Sequence, residues 1–242
     1  MTAPAGGSVD LYWLPLGAGG HVVRHCGRAY ERLVALAAGR PPLDLYHAAL
    51  EVTTPGGRHA VELTPVGGAG PGRGVIGEGP VGSPRLRSLR PFRYELHARP
   101  GGEIPDLAAA VESPRRVGRT EADARRVLAL LPTAPLLTWG RDELGLGEMW
   151  NSNSVVAWLL ARAELDLAAI GPPRHGRAPG WGAGLAAAAL PAAALPPGDR
   201  LSSGSRATRP PDRRATGSTS TRSTALRGRR DKGFPRFRVA RR

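Results

Sequence analysis

His47 lies in the run Leu45-Tyr46-His47-Ala48-Ala49-Leu50-Glu51-Val52, and Ser152 lies in Trp150-Asn151-Ser152-Asn153-Ser154-Val155-Val156. The first run reads as the start of a β-strand, and the second as a small polar cluster opening an amphipathic helix. Acyl transfer needs a nucleophile, a base to take its proton and donors for the oxyanion. A residue in the first turn of a helix lies among free backbone N–H groups at the positive end of the dipole. His47 and Ser152 thus stand where a base and a nucleophile would stand, with Asn151 and Asn153 as candidate oxyanion donors. Glu62 and Asp44 are candidate orienters of the imidazole, and nothing in the sequence selects between them.

The same residues have a plainer reading. Asn or Ser at a helix start is most often a cap, and a lone strand histidine is more often structural than basic. A non-catalytic site therefore stands somewhat ahead of an active serine enzyme.

The surrounding elements follow from periodicity and turn chemistry. Asp10–Pro15 reads as a short strand and Val22–Ala38 as a helix, with Val22, Val23, Cys26, Tyr30, Leu33, Val34 and Ala37 on its apolar face. Asp44–Thr53 and Arg58–Pro65, joined by Pro55-Gly56-Gly57, read as a hairpin. Val66–Ser83 is a glycine-rich loop with room for one short strand. Phe92–Arg99 alternates as a strand does. Ile104–Glu112 and Glu121–Leu131 read as helices, the second capped by Thr120 with Asp123 three residues on. Asn151–Ala163 is the best-defined helix.

Composition limits the rest. The chain has 242 residues, 33 Gly and 24 Pro, and a formal charge of +14. From Gly198 to Arg242 there are 14 basic residues against 3 aspartates, so the tail carries most of that charge and the body is nearly neutral. Residues 1–182 are expected to form a single α+β domain. Residues 183–242 are expected to be a disordered, Ala/Pro/Arg-rich tail, because they lack the apolar periodicity that offsets ordering entropy. Their composition also fits an out-of-phase reading of GC-rich DNA. The tail arginines would bind nucleic acid only non-specifically, through phosphates. A sole cysteine, Cys26, excludes an intrachain disulfide and a cysteine metal cluster. No metal-ligand spacing, P-loop or dinucleotide fingerprint is present, so no cofactor is expected. His21 and His25 are four residues apart, but no adjacent acid completes a zinc site. Without a secretory signal or an apolar run long enough to span a bilayer, a cytoplasmic protein with no membrane span is expected.

Tyr46-His47-Ala48-Ala49-Leu50-Glu51-Val52 resembles the histidine strand of the PPPDE-type peptidases, and of the related lecithin retinol acyltransferase-like and permuted NlpC-type proteins. Asn151-Ser152-Asn153-Ser154 is similar to the Asn-Cys-Asn-Ser/Thr helix start of that permuted papain-like superfamily, in which the histidine strand also comes first. The resemblance covers two short segments within residues 10–165. It implies a small antiparallel sheet packed against the nucleophile helix, His47 as general base, Ser152 in the nucleophile's place, and a peptide or acyl group as substrate or ligand. The departure is Ser152, where the superfamily has cysteine; a hydroxyl is far less acidic than a thiol, whose pKa is about 8.5. Cys26 precedes His47, the unpermuted papain order, but its expected place on an apolar helix face reads as core. Two functions remain open on sequence: a peptidase, amidase or acyl-transfer relative, active or inactive, and a non-enzymatic interaction protein.

Overall fold

The computed structural model describes residues 6–17, 21–66 and 74–195. In chain order it has β1 (Ser8–Pro15), α1 (His21–Ala37), β2 (Asp44–Thr54), β3 (Gly57–Pro65), β4 (Val75–Pro80), β5 (Arg93–Pro100) and β6 (Val111–Gly118). There follow α2 (Glu121–Leu130), α3 (Ser152–Arg162), β7 (Gly176–Arg177) and α4 (Trp181–Ala189). The class is α+β. The sheet runs β4-β5-β3-β2-β1-β6 with antiparallel neighbours throughout, and the short β7 pairs in parallel with the entry of β2.

Strand side chains alternate between two faces, and here the faces differ sharply. One carries Val9, Leu11 and Trp13 of β1, Tyr46, Ala48, Leu50 and Val52 of β2, and Tyr94 and Leu96 of β5. These merge with Val155, Val156, Leu159 and Leu160 of α3 into the main core. The other face has only a small apolar cluster of Leu14, Ala49, Ala60 and Ile104. The rest of it is dominated by ion pairs, Asp10–Arg116 at 2.8 Å, Glu51–Arg58 at 3.4 Å, Glu62–Arg99 and Glu78–Arg93 at 2.7 Å, with His97 Nε2 3.0 Å from a Glu95 carboxylate oxygen.

α2 begins as its sequence predicts. The Thr120 side chain accepts from Asp123 N, and the Asp123 carboxylate accepts from Thr120 N. α4 packs on α3 at very short range. A side chain at Gly184 would collide with the Ser154 carbonyl and meet Ala157 Cβ at 2.8 Å, so the contact needs glycine.

Three expectations are corrected. Ile104–Glu112 is not a helix; it holds one short 3₁₀ turn, Leu107–Ala109, and then enters β6. β6 lies at the sheet edge, where its proline is tolerated. The Ser113 hydroxyl accepts from Trp13 N at 2.8 Å where the β1–β6 register slips. Secondly, Trp181–Ala189 forms α4, so residues 183–189 belong to the fold and not to the tail; Ala183, Ala187 and Ala188 are buried. Alanine and glycine serve here because the helices approach closely, not because the segment is low in structure. Thirdly, α1 does not bury Leu33, which is 69% exposed; it buries Glu31 and Ala35 instead. The Cys26 side chain, the His21 and His25 side chains, and residues 196–242 lie outside the described residues.

Candidate functional site

The polar start of α3 is built from its own sequence. Asn151 has extended backbone, and its Oδ1 accepts from Asn153 N at 2.9 Å and from Ser154 N at 3.4 Å. The Ser154 hydroxyl accepts in return from Asn151 N at 3.1 Å, closing a reciprocal capping box. Asn151 Nδ2 donates to the Pro179 carbonyl at 2.8 Å, tying the cap to the turn before α4. In that turn Gly180 has a φ of +87°, and a side chain there would crowd Asn151 Oδ1 at 2.7 Å.

Asn153 reaches the sheet. Its Oδ1 accepts from Ala48 N at 2.7 Å, and its Nδ2 donates to Tyr46 O at 3.0 Å and to Pro179 O at 2.9 Å. The reason lies in the pairing of β2. β3 pairs β2 from Leu50 to Thr54, and β7 pairs it at Asp44 and Leu45. Between them the edge of β2 has no strand partner among the described residues, and the Asn153 amide supplies one donor and one acceptor in its place. Buried peptide groups are costly when left unpaired.

His47 lies between the two peptide groups that Asn153 holds, opposite Leu14 of β1. The alternation of β2 sends its side chain to the sheet face away from α3, since Tyr46 and Ala48 on either side both enter the α3-facing core. Ser152 is the first residue of α3 and is buried. Its hydroxyl makes no hydrogen bond to a described residue. Asn153 therefore brings the two segments together, while the imidazole and the α3 start sit on different sides of the strand. His47 is half-buried by area. Its surroundings push the imidazole down to about 4, burial being the larger cause and the Asp106 carboxylate opposing it. At neutral pH it is an uncharged, weak base.

Glu62 is on the same face as His47, but its carboxylate is buried and paired with Arg99. Asp44 is exposed at the entry of β2. Among the described residues no group of three or more His, Cys, Asp or Glu is arranged to hold a metal ion. No helix among them is long and apolar enough to cross a membrane.

A separate cleft of about 650 Å³ opens between α1, the end of β1 and the entry of β2, with Leu16, Arg28, Arg32, Asp44, Tyr46 and Val111 among its lining. Glu31 of α1 is also part of this wall and is 2% exposed. Its Oε1 accepts from Arg40 Nη1 at 2.5 Å and Leu43 N at 3.0 Å, and its Oε2 from Arg177 Nη1 at 3.1 Å. Burial alone would raise its pKa; the Arg40 hydrogen bond, the Leu43 N–H and the charges of Arg40 and Arg177 outweigh that and leave it lowered. Sequence reasoning missed this cleft. Its signal was a glutamate flanked by Arg28 and Arg32 within an otherwise apolar helical pattern.

Compared with known proteins, the chain matches no family model, no curated protein and no solved structure.

Proposed function

We propose that this chain is a non-enzymatic binding protein, on a scaffold similar in layout to the permuted papain-like superfamily, whose former nucleophile helix start has become a structural brace. The observation that carries the reading is the use made of Asn153. Both N–H groups of its Nδ2 are spent on Tyr46 O and Pro179 O, so neither donor is left for an oxyanion, and its Oδ1 is an acceptor already holding Ala48 N. Asn151 commits its Oδ1 to the cap and one N–H of its Nδ2 to Pro179 O. His47 faces away from α3 and is a weak base, which further supports a site without acyl-transfer chemistry.

One observation favours the second reading, a serine hydrolase or acyltransferase: the Ser152 hydroxyl is uncommitted and sits in the first turn of a helix. The two readings separate by incubating wild type and His47→Ala with a fluorophosphonate probe and an acyl-ester substrate. The binding-protein reading expects neither labelling at Ser152 nor turnover. His47-dependent labelling of Ser152 would overturn it.

A further inference from the structure

Arg28 and Arg32 stand four residues apart on α1, one turn from each other on the wall of the cleft. Two like charges at this spacing repel, at a cost to the helix. Neither guanidinium has a hydrogen-bond or ion-pair partner among the described residues. The glutamate between them does not compensate, because both Glu31 oxygens are taken by Arg40, Leu43 and Arg177. The same three contacts pin α1 to the β2 entry and to β7, so the wall that carries the two arginines is fixed. Among the described residues the one remaining acid on the lining is Asp44, leaving two cations against one carboxylate. Leu16, Leu45 and Val111 supply apolar surface beside them. A concave site of this size, with apolar surface beside convergent charges, is a common form of a small-molecule site.

We propose that this cleft binds a small organic carboxylate with an apolar body, its carboxylate bridging Arg28 and Arg32. Paired guanidinium groups suit a planar carboxylate through charge-assisted hydrogen bonds, and the bound anion relieves the repulsion between them. The assignment adds a site and a ligand class to the binding-protein reading, and rests on that reading only in expecting capture without turnover.

The test uses the full chain and two near-isosteric probes, 2-naphthoate and the neutral 2-naphthamide, titrated by calorimetry. Wild type is expected to prefer naphthoate by tenfold or more. Arg28→Gln/Arg32→Gln, at two exposed positions, is expected to abolish that preference with an unchanged circular dichroism spectrum. Ala109→Trp, at another exposed position of the lining, is expected to weaken both probes at least tenfold by filling the cleft. An undiminished preference in the double variant would assign anion binding elsewhere, such as to the basic residues after 198, and overturn the proposal. Failure of wild type to bind naphthoate would overturn it too. Both failures leave the fluorophosphonate result on Ser152 untouched, and labelling of Ser152 would in turn leave the naphthoate result standing.

Discussion

Asn153 completes the hydrogen bonding of Ala48: its side-chain oxygen accepts the Ala48 N–H at 2.7 Å, where no neighbouring strand of the described residues reaches. Its NH₂ group holds Tyr46 O at the same time. The side chain therefore joins the helix start to the strand through the peptide groups on both sides of His47.

Removing this brace exposes a clear cost. Asn153→Ala leaves the buried Ala48 N–H and the buried Tyr46 carbonyl short of a partner, while Pro179 O keeps Asn151 Nδ2, and is expected to destabilise the fold by about 2–4 kcal/mol. Asn153→Asp keeps the acceptor for Ala48 N but loses both donations, and is expected to be destabilising as well. Urea denaturation measures both. If Asn153 served only as an oxyanion donor, stability would be nearly unchanged in either variant.

His47 makes stability depend on pH in a defined window. An unfolded imidazole titrates near 6.5, while in the fold burial, opposed by Asp106, leaves His47 at about 4. Above 6.5 both states are neutral and its contribution is complete. As pH falls from 6.5 to 4 the unfolded state gains the proton first, and stability drops, by something on the order of 2 kcal/mol for a half-buried ring. His47→Gln is expected to flatten this part of the curve. Imidazole NMR signals of His47 should stay constant down to about pH 5; a midpoint near 6.5 would contradict the buried placement.

Asp123 acts at lower pH. Its carboxyl is held at about 2 by the hydrogen bond with the Thr120 side chain first, then by Arg126 and the Arg119 and Thr120 amides, against a smaller opposing effect of burial. A depressed carboxyl stabilises the fold above its unfolded value of 3.8 and loses that contribution as pH falls from there to about 2. Thr120→Ala and Asp123→Asn should each cost about 1 kcal/mol at neutral pH. Asp123→Asn should also remove that part of the acid dependence, measured as urea midpoints between pH 5 and pH 2.

The α3–α4 contact is equally specific. Gly184→Ala puts a methyl group against the Ser154 carbonyl, and is expected to destabilise by about 1–3 kcal/mol through helix displacement. Thermal unfolding would show it, and a neutral result would contradict the close approach.

Local patterns in the chain expressed much of this fold. The hairpin, the β5 strand and the caps at Thr120 and Asn151 depend on turn residues and periodicity within a few positions. β6 was not legible, because Ser113 and Pro114 sit in an exposed edge strand whose alternation carries little apolar signal. α4 was hidden for another reason: its Ala and Gly residues are selected for helix proximity, yet they compose a segment that looks structureless. The candidate site was legible as two neighbouring segments but not as an orientation. A strand residue's face is fixed by parity, and one position of register sends every side chain to the other side. Nothing around His47 in the sequence determines that parity; the burial of Tyr46 and Ala48 beneath α3 does.

The most direct test of the brace is the pH–rate profile for iodoacetamide alkylation of Ser152→Cys, with and without His47→Ala. The substitution is small, and an active papain-like geometry would turn this thiol into a thiolate. A structural helix start predicts slow alkylation that rises with an apparent pKa at or above about 8.5 and is the same in the His47→Ala background. Fast alkylation at neutral pH, with a depressed pKa that returns to normal when His47 is removed, would contradict the account and restore the catalytic pair.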